Sequence, residues 1–278
     1  MRQTFLRAVV LATVPVGCVL AATTMVIGTH APEYPRYEIS KFSTPLRGRS
    51  TGQRHNASLA AMALDHKVVK PGECFSFNGT VQVWPKERGY VEAPVSYEGI
   101  LTEAVGGGVC QVSTTLYNAA LLANLPIVER HRHAVAPTYV TPGRDAAVAQ
   151  YCLDLRFVND MKSPIVIRAQ VSADQVSVQL YGAQRRPYET MLVSRVLDCV
   201  EPRIYARHEP PAAAVRLKHG RRPFRGACGW HVVTYRCRVQ SGHEVYRERV
   251  SDDKYRPVDY QLEEAPQIVL GDKAGAWQ

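Results

Sequence analysis

No C-x-x-C pair occurs among the seven cysteines of this 278-residue chain, so a structural zinc site has little support. Helix-turn-helix, zinc-finger and RNA-binding aromatic signatures are missing too, and no nucleic-acid partner is expected. Nor is the composition extreme. With 46% hydrophobic, 21% charged and 8% aromatic residues it is ordinary globular material, which argues against disorder, collagen-like repeats and a polytopic membrane protein. The length suits one large domain or two smaller ones. What stands out is a positive balance, 34 Lys plus Arg against 25 Asp plus Glu, for a formal charge of +9. Without nucleic-acid motifs, that charge suits an anionic membrane surface or cell-wall polymer. The densest basic run, Arg216 to Arg225, reads either as a solvated loop or as an anion-binding surface.

The N-terminus favours the wall. Arg2 and Arg7 precede an almost uncharged stretch from Ala8 to Gly28, long enough to span a bilayer as a helix. The basic flank stays inside, so the rest of the chain is expected outside the cytoplasm. Val19-Leu20-Ala21 offers the small residues of a signal-peptidase site, so a cleaved signal peptide and a retained anchor both remain open. In an oxidising compartment the C-terminal trio Cys199, Cys228 and Cys237 has the means to form a disulfide.

Four segments are expected: the export segment 1–28, a Pro-rich linker 29–45, a principal domain 46–186 and a β-rich extension 187–278. Apolar spacing predicts a helix over His55 to Lys67, capped by Asn56 or Ser58. A second helix of about four turns is predicted from Cys110 to Asn124, with Val112, Leu116, Ala119 and Ala123 on one face. Strands are expected at Cys74 to Phe77, around Tyr90 to Ile100, from Ile127 to Ala134, from Asp145 to Val158 and from Ile165 to Leu180. Beyond residue 187, Trp230 to Val239 and His243 to Val250 form a hairpin through Ser241-Gly242. The fold class is α+β.

Chemistry concentrates where three glycines, Gly106 to Gly108, precede the second helix. Cys110 falls at or near its N-terminus, where unpaired N–H groups and the macrodipole favour a thiolate. The same N–H groups suit an oxyanion forming on an acyl substrate. A helix from Cys110 to Asn124 advances about 21 Å, and a strand from Ile127 to His133 returns roughly 20 Å. An antiparallel return therefore brings His133 level with Cys110, with His131 about two residues short. Asp145 is the candidate third group, on condition that residues 137–144 form a wide loop rather than a tight hairpin; Glu129 is the same-strand alternative. Gly107, Gly108, Gln111, His131 and Arg144 are the candidate oxyanion or substrate contacts. A metal site built on His131-x-His133 with Cys110 or Asp145 is the weaker option, because no established spacing supplies its remaining ligands. No cofactor is called for.

Several blocks closely resemble the VanW family: Pro71 to Asn78, Arg88-Gly89-Tyr90 with Ala93-Pro94-Val95, the Gly106 to Leu122 block, Ile127 to His133, and Gly143-Arg144-Asp145-Ala146. The resemblance covers roughly Ser40 to Gly182, and the tail around His243 to Tyr260 looks like the β-rich extension of many such domains. It implies a VanW-type domain in which the helix bearing the nucleophile packs on antiparallel strands. Some members act as L,D-transpeptidases of peptidoglycan, which implies Cys110 as nucleophile, His133 as base and stem peptides as substrates. The alternative it leaves open is a non-catalytic peptidoglycan- or glycopeptide-binding accessory linked to vancomycin-type resistance. The chain departs from the family's frequent Gly-Pro-Arg at Gln82-Val83-Trp84, which is expected to reshape the substrate cleft.

Overall fold

The computed structural model describes residues 36–82, 84–97, 100–206 and 226–262. The export segment, the first residues of the expected linker and the basic run Arg216 to Arg225 lie outside them. Among the described residues no helix is long and apolar enough to cross a membrane.

The chain begins with β1 (Tyr37–Pro45), α1 (Thr51–Leu64), β2 (Val68–Val69), β3 (Cys74–Ser76) and α2 (Phe77–Val81). It continues through β4 (Glu92–Tyr97), β5 (Ile100–Val105), α3 (Val109–Leu122), β6 (Ile127–Glu129) and β7 (Arg156–Val158). Next come β8 (Ile165–Val171), β9 (Gln175–Gly182), β10 (Glu189–Val200) and β11 (Ile204–Ala206). The last elements are β12 (Gly229–Gln240), β13 (His243–Tyr255) and β14 (Tyr260–Leu262). Antiparallel sheets with few helices make this an α+β fold, as the sequence predicts.

The central sheet has the order β1-β9-β8-β2. Alternate residues of β8 and β9, among them Ile165, Ile167, Val178 and Leu180, are fully buried. Against them pack Ala57, Ala61 and Leu64 of α1 and Val112 and Leu116 of α3. Each large aliphatic side chain withdrawn from water contributes roughly 1.5–3 kcal/mol, so this layer is the main drive for folding. Alanines on α1 let the two helices approach closely.

The sequence expectations fail at four places, the first being the strand over Ile127 to Ala134, which stops at Glu129. Residues 37–45, expected within a linker, form β1, which pairs with β9 from Tyr37↔Gly182 to Pro45↔Gln175. The first helix starts before His55, because Ser50 caps it. Its hydroxyl accepts from the Gln53 N–H at 3.2 Å, and Gln53 Oε1 accepts from the Ser50 N–H at 3.1 Å. This reciprocal box satisfies two first-turn donors, which neither Asn56 nor Ser58 does. Finally, residues 145–155 are irregular rather than a strand. They are held by bridges His131↔Ala147 and Ala149↔Leu153, with Tyr151 at φ +67° turning the chain.

After residue 187 the sheet β10-β12-β13 forms. Its β12–β13 hairpin turns at Ser241 and Gly242 with φ of +52° and +78°, the doubly left-handed turn that matches strand twist. The sheet is tied to the end of α3. Arg236 donates to Leu125 O at 2.7 Å, and the Asn124 amide donates to the Tyr188 hydroxyl at 3.0 Å. The six described cysteines are unbonded thiols.

Candidate active site

The three-glycine turn sets the start of α3. Gly108 is its N-cap at φ +107°, and a Cβ there meets the Gln53 backbone of α1. Only glycine allows this conformation and this approach together. Gly107 O accepts from the Asn56 amide at 2.9 Å, locking the turn to α1. Cys110 is then the second residue of the helix, half-buried at the floor of a cleft. The Val109 and Gln111 N–H groups are taken by Gly106 O and Gly108 O, both at 3.1 Å. The Cys110 N–H has no backbone acceptor among the described residues, as expected in a first helical turn.

His133 reaches Cys110 by register. The antiparallel bridge His131↔Ala147, with Ala147 N–H donating to His131 O at 2.7 Å, sets His133 opposite Asp145. Residues 134–144 form the wide loop that this requires. Its tight turn, Arg144 N–H to Thr141 O at 3.1 Å, sits beyond the pairing rather than inside it. Asp145 Oδ2 accepts from the His133 backbone N–H at 2.7 Å and lies 2.6 Å from His133 Nδ1. The second ring nitrogen is left for the Cys110 sulfur, and each group shifts the other's charge. Cys110 Sγ also lies 3.3 Å from Val148 O, the acceptor for the neutral thiol.

The carboxylate is held by more than histidine. Arg130 donates from one guanidinium nitrogen to Asp145 Oδ1 at 3.0 Å and from Nε to Asp145 O at 2.6 Å. Its remaining nitrogen forks onto both oxygens of Asp253, on β13, at 2.7 and 2.8 Å. The Tyr255 hydroxyl, also on β13, accepts from the Gly143 N–H at 2.8 Å and donates to Asp145 Oδ1 at 2.5 Å. Arg130, Asp253 and Tyr255 were missed from sequence. In a regular strand Arg130 faces away from His131 and His133, and the two β13 residues are distant in sequence.

Burial and partners compete at each titratable group. Burial pushes the Asp145 carboxyl up, but His133, Arg130 and Tyr255 outweigh it and hold it down at about 2. Burial disfavours the His133 imidazolium, yet Asp145 and the Cys110 sulfur lift it to about 10. Burial likewise raises the Cys110 thiol, and the His133 hydrogen bond and charge bring it below its ordinary value. The three shifts agree on a thiolate beside an imidazolium.

Cys110 and His133 open into a cleft of about 750 Å³ that Gly107 and Gly108 also line. Trp84, at the point of departure from the family pattern, lies against Gly106 in its wall. Three expected contacts have their side chains engaged by other parts of the fold. The Gln111 side chain is buried and donates to Thr44 Oγ1 at 3.1 Å and Pro45 O at 2.9 Å, fastening α3 to β1. Arg144 donates to Ser194 Oγ and Leu192 O, fastening its loop to β10. His131 turns to Glu129 at 2.9 Å, so it and His133 do not converge as the metal option requires. Among the described residues no three His, Cys, Asp or Glu side chains group as metal ligands.

An α+β chain with cysteine, histidine and aspartate aligned at the floor of a cleft is what these residues build. Residues 52–181 match the family described as VanW like protein. That span holds α1 to β9, with all three aligned residues, and leaves out β1 and the β10–β13 sheet. Over 146 residues the chain is 42% identical to the uncharacterized protein YoaR of Bacillus subtilis, covering 52% of this chain and 48% of that protein. Over 138 residues it is 31% identical to the vancomycin B-type resistance protein VanW of Enterococcus faecalis, covering 48% and 50%. The chain thus spans about half the length of the curated relatives it matches. No solved structure matches.

Proposed function

We propose that the chain is an exported cell-wall protein in which Cys110 carries out acyl transfer of the L,D-transpeptidase type on peptidoglycan stem peptides. The observation that carries this reading is His133, hydrogen-bonded to Asp145, lining with Cys110 one cleft and favouring its thiolate. The Cys110 thiolate attacks the carbonyl of the third stem residue, and the oxyanion is held by the Cys110 N–H at the start of α3. His133 gives its proton to the departing amine as the carbon–nitrogen bond breaks, leaving a thioester and free D-Ala. The amine of a second stem then attacks the thioester, His133 takes its proton and the thiolate leaves. Water in place of that amine makes the reaction a carboxypeptidase. Asp145 keeps the imidazole in register and balances its charge.

Export rests on the N-terminal apolar segment, and the positive charge of the chain suits attraction to anionic wall polymers or lipid head groups. The name of the Enterococcus relative extends to this chain as a proposed link to vancomycin-type resistance.

The test is intact-protein mass spectrometry with a tetrapeptide stem. The tripeptidyl adduct is expected on Cys110 and absent in Cys110→Ala. Stem binding at full affinity by Cys110→Ala, with no thiol-dependent adduct on the native chain, makes this a non-catalytic binding module instead.

A further inference from the structure

The cleft has a lopsided charge pattern. Among the described residues that line it, Arg49 brings one guanidinium, and there is no aspartate, glutamate or lysine. Arg49 sits in the turn between β1 and α1, directly before the Ser50 cap. Its guanidinium lies 4.8 Å from the centre of the Tyr139 ring, and its Nε is buried without a hydrogen-bond partner. No carboxylate pairs with Arg49 among the described residues; burial and the neighbouring Tyr139 are what act on its charge.

A half-buried guanidinium stacked on an aromatic face but lacking an anion is costly to hold, and a bound anion offsets that cost. Arginine forks suit carboxylates in two-point contact. Other features strengthen the pull at the same end of the cleft. The first turns of α1 and α3 contain no acidic residue, so both positive helix ends are unneutralised. The walls are otherwise largely apolar, with Trp84, Pro94, Val105 and Val258 among them, and a low-dielectric wall makes each charge count for more.

The position relative to the thiol fixes the role. The Tyr139 hydroxyl lies 3.4 Å from Cys110 O, so the phenol that Arg49 covers also touches the residue bearing the thiol. Through Tyr139, the guanidinium is therefore within a few residues' reach of the bond that Cys110 attacks. We propose that Arg49 is the substrate's carboxylate anchor, so that the cleft selects peptides presenting a free carboxylate close to the bond Cys110 attacks. The group is the C-terminal carboxylate of the departing residue or an acid on a neighbouring stem residue. The identity of the peptide rests on the function proposed above; the carboxylate anchor rests on Arg49.

Calorimetry on the full chain carrying Cys110→Ala separates binding from chemistry. The probes are L-Ala-D-isoglutamate-L-Lys-D-Ala, its C-terminal carboxamide and its isoglutamine form. One of the two amidated peptides is expected to bind at least tenfold more weakly than the diacid, and which one identifies the carboxylate. In Arg49→Gln on the same background the difference collapses, and Arg49→Lys restores part of it. Equal affinity for all three peptides, an undiminished difference in Arg49→Gln, or no binding of any peptide overturns the assignment. Mass spectrometry of the native chain decides the other question. Adducts forming equally from acid and amide retain the enzyme without the anchor. Carboxylate-selective binding with no adduct retains the anchor without the enzyme.

Discussion

Replacing Tyr255 by Phe removes one oxygen that serves two partners. The Gly143 N–H donates to it, so its own proton points to Asp145 Oδ1. Burial, with the Asp145 and Asp253 charges, raises the phenol far above its usual range, so it donates at every working pH. A hydrogen bond to a charged acceptor is worth about 1.5–3 kcal/mol, and a buried donor left unpaired costs about 1–3. Asp145 retains Arg130 and both His133 contacts, and the Phe ring retains its packing beside Arg132. A loss of about 2–4 kcal/mol follows, or roughly 5–15 °C in melting temperature for a domain of this size. The second consequence falls on the thiol. With Asp145 less firmly held, the imidazolium is less well oriented and the Cys110 thiolate less favoured. Alkylation of Cys110 by iodoacetamide, followed by mass spectrometry at several pH values, should slow several-fold at pH 6 and little at pH 9. A melting temperature within 1 °C of the native chain, together with an unchanged alkylation profile, refutes the role given to β13.

Three further outcomes are expected. Because His133 lowers the Cys110 thiol, alkylation in the native chain should persist below the pH of a free thiol, and His133→Gln or Asp145→Asn should move its inflection upward. Gly108→Ala forces a side chain into φ +107° and into the Gln53 backbone; a destabilisation of about 2–4 kcal/mol in urea unfolding is expected, and one below about 0.5 contradicts the packing described. The buried Asp145, held at about 2 against an ordinary 3.8, contributes about 2 kcal/mol above pH 4 that is lost as pH falls towards 2. His133, raised to about 10 from 6.5, contributes fully below pH 6.5 and loses its share as pH rises through 10. Urea midpoints across pH should therefore peak between these limits, and Asp145→Asn should flatten the acid side.

The elements written plainly in the chain are those whose signals are local. The α3 stripe of Val112, Leu116 and Ala119 and the Ser241-Gly242 hairpin need nothing from distant residues, and both form as expected. His133 comes level with Cys110 as expected, but the strand meant to carry it stops at Glu129, and the His131↔Ala147 bridge sets its place. Asp145 depended on whether its loop was wide, which the Pro142-Gly143 turn alone does not decide. The pairing of β1 with β9 was hidden by prolines at its ends, and the Ser50-x-x-Gln53 box was legible but passed over in favour of the apolar run behind it. Gln111 and Arg144 looked like substrate contacts because they flank Cys110 and Asp145 in sequence. Their partners in β1 and β10 are set by tertiary packing, as are those of Arg49, Arg130 and Tyr255.

The partners of the carboxylate also impose an order in time. Cys110, His133 and Asp145 are all made before Asp253 and Tyr255, which complete the grip on Asp145 from β13. As the chain emerges from the ribosome N-terminus first, Asp145 lacks the Tyr255 hydroxyl, and Arg130 lacks Asp253, until that late strand has docked. The full set of contacts around Asp145 is thus completed only when the last long strand folds home.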